Sequence, residues 1–344
     1  MRLPCGQVPH YRNNTIATVR LALEARRRLF AIAEREGIDF DLARRGILHI
    51  YRNRRSFDHA SNVNSLLQRG GVERHAVTPE EMKSIEPAIQ GEFYGGFFTP
   101  SDSTGDIHKF TRQLAFVCER RGMRLNCDTV VDRVVPARKG IIENWRANGK
   151  NGAAGTVEET AADAVVICAG VASQRFATLM GDRINIYPVK GYSITIGLDD
   201  DTSRAGAPWV SLLDDATKIV SSRLGADRFR VAGTAEFNGY NRDIRDVRVA
   251  PLIAWTRQLF PSVSTERVVP WTGLRPMTPN MLPRVGAGRT RGVFYNTGHG
   301  HLGWTQSAAT AHIVANIVEK SLGQTVPVRA APLAWKTSAP NFPR

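Results

Sequence analysis

NTGHGHLGWT, Asn296–Thr305, sets Gly298, Gly300 and Gly303 in G-x-G-x-x-G spacing, the spacing of a dinucleotide-binding turn. Such a turn needs a strand before it, a helix after it and a second parallel strand after the helix. It also needs an acidic residue about 20 positions on. The apolar run VFYN precedes the glycines, and TQSAATAHIVANIVEKSLG follows them with helical character. Glu319 stands at a suitable distance but falls inside that helical run, and no strand pattern follows it. The unit is incomplete as a pyrophosphate cradle. The stretch predicts instead a glycine turn at the C-terminal end of a parallel strand, where a ligand can approach the backbone. The next helix offers free N–H groups and the positive end of its dipole there. A ligand with partial negative charge suits that place; a tight turn that only packs helix on sheet is the other reading. A second cluster, GAGRTRG at 286–292, follows Pro283 and opens no helix.

Outward from the glycines, the chain alternates. Residues 15–36 have apolar residues near helical spacing, with Val19, Leu23 and Phe30 on one side, and Gly37 ends the pattern. GILHIYR alternates as a strand does, and SFDHASNVNSLLQRGG reads as a helix stopped by Gly70-Gly71. TPEEMKSIEP carries Thr78, Pro79 and Glu81 in the positions of a capping box with proline at the first helical residue. IHKFTRQLAFVCERRG is a further helix. MRLNCDTVVDRVVPA reads as one kinked strand, and GAAGTVEETAADAVVICAG as a loop running into a strand. The continuous apolar run AVVICAG suits a buried parallel strand. Between 187 and 235 several short strands with Gly and Asp turns predict an antiparallel sheet. A helix over RDVRVAPLIAWTRQLFP, the strand GVFYNTG and a last helix ended by Gly323 complete the pattern. The order α/β, antiparallel β, α/β predicts two interleaved domains with one sheet built from sequence-distant strands.

The 344 residues are 42% hydrophobic and 23% charged, an ordinary globular composition. The formal charge is +14. Its arginines are spread along the chain among acids, so a nucleic-acid interface is not expected, while contact with an anionic membrane surface stays open. No apolar run approaches the roughly 18 residues of a membrane span, and the first residues have no signal-peptide core. Cys5, Cys118, Cys127 and Cys168 form no C-x-x-C pair, which leaves no expected metal site and four reduced thiols in a cytoplasmic protein.

VVICAG, YPVKGYSITI, WTGLRPMTPN and NTGHGHLGWT, in this order, resemble the small subunit of the D-amino-acid dehydrogenases. These are FAD enzymes related to D-amino-acid oxidase and glycine oxidase. The resemblance runs from about HYRNN to EKSLG. It implies a mixed α/β fold, with an incomplete Rossmann-like FAD domain and an antiparallel-sheet substrate domain. Residues 1–105 would be mainly substrate domain, 106–186 an FAD-domain segment and 187–283 the antiparallel-sheet substrate domain. Residues 284–323 would be the closing FAD-domain strand and helix, and 324–344 a tail. In the family the chain begins with a strand and a G-x-G-x-x-G turn for the FAD pyrophosphate. Met1 here falls inside the family pattern, so a first βαβ unit of about 30 residues or more is expected to be missing. FAD binding is then expected to be weak or absent.

The implied reaction is oxidative deamination of a D-amino acid, with hydride passing from the α-carbon to flavin N5 and the imino acid hydrolysing to a 2-oxo acid and ammonia. Amine oxidation of glycine, sarcosine or an opine is the alternative, and a non-catalytic remnant the rival. By the resemblance, Arg275 in TGLRPMTP binds the substrate carboxylate, the task of a planar bidentate donor, and Tyr192 adds a hydrogen bond or a pocket wall. The turn residues Gly298, His299, Gly300, His301, Leu302, Gly303, Trp304 and Thr305 would meet the flavin, chiefly through the backbone. Ala169 and Gly170 would lie along the diphosphate–ribityl region, and the main chain of Val131 at the adenine edge. A respiratory-chain acceptor and peripheral contact at the inner membrane face are implied as well. Asn280 and Met281 depart from the Asp-Gly that the family commonly carries, and His301 from a smaller polar residue.

Overall fold

A computed structural model describes residues 8–137, 140–148 and 154–323; Cys5 and the expected tail at 324–344 lie outside the described residues. Helix α1 (Val8–Glu36) leads into β1 (Ile47–Tyr51), α2 (Arg54–Gly70), β2 (His75–Val77), α3 (Pro79–Ile85), β3 (Gly95–Thr99) and α4 (Ile107–Arg120). Local chemistry sets these ends. Ser56 N–H donates to the Asn53 side chain at the start of α2, and α4 opens on Asp106, whose carboxylate accepts from His108 and Lys109 N–H. The predicted capping box is formed: Glu81 N–H donates to the Thr78 hydroxyl and Thr78 N–H to the Glu81 carboxylate. Each bond satisfies a helix N–H that would otherwise lack an acceptor.

The middle of the chain supplies β4 (Thr129–Pro136), β5 (Ile141–Asn148), β6 (Ala154–Ala162), β7 (Val165–Ile167), α5 (Ser173–Leu179) and β8 (Tyr187–Gly197). Then come α6 (Asp201–Gly206), β9 (Ser211–Asp214), β10 (Ile219–Leu224), β11 (Arg228–Glu236), α7 (Asp246–Leu259) and β12 (Val268–Met277). The chain closes with β13 (Arg284–Ala287), β14 (Val293–Thr297) and α8 (Gly303–Leu322). Two expectations need correction. The strand expected over 123–137 begins only at Thr129, and the loop expected before AVVICAG contains β6, preceded by the unforeseen β5. These form a β4-β5-β6 antiparallel meander. Residues 157–162 of β6 are exposed on both faces, so no apolar alternation marks the strand. β7 does pair in parallel with β14, yet Val166 at its centre is 38% exposed.

Eight strands form the large sheet, in the order β12-β8-β11-β10-β9-β1-β3-β2. It joins strands from 47–99 to strands from 187–277, and only the β1–β9 pairing is parallel. One face carries the main core. Leu48, Ile50, Tyr192, Ile194, Ile196, Phe229 and Val231 pack there against Leu252, Trp255 and Leu259 of α7. The strand period of two sends the alternate residues to the other face. α2 covers that face at its β1–β3 end, and it is open toward β10 and β12, with Trp271 58% and Val220 39% exposed. A small β13-β14-β7 sheet lies beside it, and α8 packs on this sheet and on α1.

Candidate active site

The open face gathers residues that the alternation hides from the core. On β8 these are Val189, Gly191, Ser193 and Thr195. Arg275 of β12 stands opposite Val189 and Trp271 opposite Ser193, and Arg230 of β11 stands opposite Thr195. Gly191 makes room for Arg275: a Cβ there would fall 2.2 Å from the guanidinium carbon. Arg275 donates through Nη1 to the Thr234 carbonyl at 3.3 Å. A bulge between Gly233 and Ala235 and a left-handed Thr234, φ +50, accompany this contact. Arg230 donates through Nη2 to the Ser193 hydroxyl at 3.2 Å. Among the described residues neither guanidinium has a carboxylate within ion-pair distance. Burial holds both below the ordinary arginine pKa, and for Arg275 the neighbouring charge of Arg230 adds to the shift.

Tyr192 does not join them. Its side chain lies in the core on the opposite face, 1% exposed, with its hydroxyl donating to the Glu236 carboxylate at 2.7 Å. Lys190, fully buried, bonds the same carboxylate at 2.9 Å. Arg245 pairs with it as well. These hydrogen bonds, from Tyr192 and Lys190 first, pull the Glu236 pKa down to about 2. As a substrate contact Tyr192 is therefore corrected: a one-residue offset along a strand reverses the face. Its network secures the bulged end of β11 from behind.

The glycine turn abuts the end of β12. Gly300 N–H donates to the Pro276 carbonyl at 3.0 Å, one residue past Arg275. Gly298 and Gly300 hold φ of +76 and +59, and added Cβ atoms would lie 2.8 Å from Thr278 Cγ2 and 2.9 Å from Met277 Sδ. The turn thus depends on glycine for backbone conformation and for close approach. Helix α8 then begins at Gly303, with Leu302 as N-cap and no side-chain cap, leaving its first N–H groups and positive dipole end uncapped by any side chain. One turn in, Gln306 is fully buried with both amide atoms unpartnered. A cleft of about 470 Å³ opens beside the turn, lined in part by Tyr187, Val189, Met277, Thr278 and Phe237. Val189 and Met277 share the face of Arg275.

His299 meets the Thr310 hydroxyl through Nε2 at 3.0 Å, and burial lowers its pKa. His301 is exposed to solvent, yet partial desolvation and then the Arg275 charge lower its pKa too. Both shifts favour the neutral imidazole. The Trp304 side chain packs edge-on to Phe40 and Phe110 at 6.1 and 5.1 Å, so only its backbone faces the turn. Thr305 is exposed beside it. Ala169 and Gly170 leave the C-terminal end of β7 on the same edge as Gly298, because β7 and β14 are parallel neighbours. Thr297 bonds the Gly170 carbonyl at 3.3 Å. Gly170 has φ +55 and open space where a side chain would stand. Ligands of open α/β sheets settle at this edge. Val131 lies in the meander, opposite Trp145, and packs with the core around Tyr295.

These features fit the ring end of a flavin: a tight glycine turn, an uncapped helix start and a neighbouring cleft. Met281, in the loop after β12, adopts φ +61, a conformation that suits the glycine expected by resemblance. The loop still closes, with Met281 N–H donating to the Thr278 carbonyl at 3.2 Å and Leu282 N–H to Asn280 Oδ1 at 3.2 Å. Sequence reasoning missed Arg230, Ser193 and Thr234. An arginine inside the apolar strand RFRVAG was the available signal, but only the strand register shows which face it takes.

The profile of the family described as DAO, FAD dependent oxidoreductase, matches residues 5–317. D-amino acid dehydrogenase 3 of Mesorhizobium japonicum is 57% identical over 317 residues, covering 92% of this chain and 75% of the relative. D-amino acid dehydrogenase of Paramagnetospirillum magneticum is 42% identical, covering 89% and 70%. The crystal structure of glycine oxidase from Geobacillus kaustophilus superposes with a TM-score of 0.76 at 23% identity, covering 89% of this chain and 80% of that one.

Proposed function

The chain belongs to the family of FAD-dependent oxidoreductases, and from that premise we propose that it oxidises D-amino acids to 2-oxo acids and ammonia. Bound FAD supplies the acceptor for the hydride leaving the substrate α-carbon. The chain's own residues have three tasks. Arg275 holds the substrate carboxylate in a bidentate pair. Its fixed place, one residue from the Pro276 carbonyl that anchors Gly300, sets the amino acid in register with the turn. The positive charges of Arg275 and Arg230 disfavour a further ammonium nearby, which lowers the pKa of the substrate amine. The neutral amine is the form that can release hydride.

The turn and the start of α8 hold the flavin ring. N–H groups at Gly303–Thr305 and the helix dipole favour negative charge beside them, which stabilises the ring system once it has gained electrons. Ala169 and Gly170 would line the chain-like part of the cofactor, and Val131 its adenine end. A respiratory acceptor would suit the re-oxidation that such a dehydrogenase requires, and the +14 charge suits contact with an anionic membrane surface.

The observation that carries the reading is the acid-free Arg275 guanidinium on the open face beside the glycine turn. The D-configuration rests on the names of the relatives. Dye-coupled turnover tests it: D-alanine should give equal amounts of pyruvate and ammonia. Turnover restricted to glycine, sarcosine or an opine would replace this reading with amine oxidation.

A further inference from the structure

We propose that Arg230 is a second ligand of the substrate carboxylate, which is clamped between two guanidinium groups. This deepens, and rests on, the amino-acid reading of the open face.

Three observations support the clamp. First, Arg230 is set apart from its neighbours by what it lacks. Arg228, two residues earlier on the same strand face, is paired with Asp106 at 2.8 Å and Asp41 at 3.2 Å. Arg223, on β10, has both terminal nitrogens engaged by carbonyls of Arg204, Ala207 and Ala226. Arg230 makes one hydrogen bond, to the Ser193 hydroxyl, and meets no carboxylate among the described residues. No nitrogen of Arg230 or Arg275 is both buried and unpartnered. Their unused N–H donors therefore reach the open side of the sheet, where a bound anion would sit.

Second, the two groups are anchored at neighbouring places. The Arg275 guanidinium lies over Gly191 and Arg230 reaches Ser193. Same-face positions two residues apart on a strand are separated by about 6.6 Å. A carboxylate with charge-assisted bonds of about 2.8 Å on either side fits a gap of that size.

Third, the pair is electrostatically unfinished. Burial and the charge of Arg230 both disfavour the charged form of Arg275. Arg230 feels the charge of Asp106 from beyond ion-pair distance, but that carboxylate is already paired with Arg228; one anion between Arg230 and Arg275 would turn their remaining repulsion into two attractions.

The test compares wild type, Arg230→Gln and Arg230→Lys, each loaded with FAD. Steady-state kinetics are run with D-alanine and D-glutamate, and propionate binding is measured by calorimetry. Losing one charge-assisted contact should weaken binding about tenfold to a hundredfold. Arg230→Gln should therefore raise KM for both amino acids by a common factor. The propionate Kd should rise by the same factor, and Arg230→Lys should recover part of the loss. Should Arg230→Gln fail to fold, Arg230→Lys carries the test through its smaller rise in KM and in propionate Kd. Unchanged KM and propionate Kd would overturn the clamp. A loss confined to D-glutamate would also overturn it, since Arg230 would then read the side chain. If the wild type turns over no D-amino acid, the proposed activity fails, while propionate binding still reports on Arg230.

Discussion

Arg275 is positioned by what surrounds it more than by what it bonds. Gly191 gives it room, Thr234 offers one carbonyl, and no acid among the described residues pairs with it. Arg275→Lys keeps the charge and loses the planar fork. One lost bond to a charged group corresponds to about 1.5–3 kcal/mol, so kcat/KM for D-alanine should fall about tenfold to a hundredfold. Arg275→Ala should cost more, with flavin content unchanged in both variants; normal kinetics in the alanine variant would remove Arg275 from the site. Met281 is a second position decided by one residue. A left-handed conformation costs a residue with a Cβ about 1–2 kcal/mol, and Met281 holds φ +61 while 44% exposed. Met281→Gly should raise the unfolding free energy by up to about 1 kcal/mol, measured by denaturant melts. Equal or lower stability would mean that Met281 packs well enough to offset its strain. Arg275 was legible in the motif TGLRPMTP. Tyr192 was misplaced because a motif on a strand does not say which face each residue takes. Lys190 and Glu236, on the core face with Tyr192, are polar residues that a reading by polarity places outside.

The element that links cofactor to substrate is the turn between β14 and α8. Its two left-handed glycines touch the end of β12, so a side chain at position 300 disturbs both the turn and the strand bearing Arg275. Gly300→Val adds a β-branched side chain, which resists φ of +59. Titrated with FAD, the variant should bind it far more weakly than the unsubstituted protein does. Gly323→Val is the matched control. It imposes comparable backbone strain at φ +70, but in open space at the far end of α8, and should leave flavin unchanged. Unchanged FAD affinity in Gly300→Val would make the turn a packing device only. Elements with a buried face or a cap were legible from local pattern: α1, the capping box of α3, and the glycine end of α8. The meander was not. Residues 157–162 of β6 are exposed on both faces, and β5 lies in a stretch, Ile141–Asn148, where the apolar residues do not alternate cleanly.

At the scale of the whole molecule, one sheet separates two jobs. Its buried face, with α7, holds the core; its open face, with the small β13-β14-β7 sheet beside it, holds the candidate site. The order of segments foretold a sheet made of sequence-distant strands, and the β1–β9 pairing supplies that join. Which arginines meet on its open face was not legible, because that depends on strand order, β12 beside β8 beside β11. No helix among the described residues is long and apolar enough to cross a membrane, and no group of His, Cys, Asp or Glu among them could hold a metal ion. The central claim is that a D-amino acid on the open face gives hydride to a flavin held at the turn. Anaerobic mixing of the FAD-loaded protein with D-alanine, and separately with L-alanine, tests it most directly. The flavin absorption band should bleach with D-alanine, with pyruvate and ammonia formed in amounts equal to the flavin, and should persist with L-alanine. A flavin that stays oxidised with D-alanine would contradict the claim.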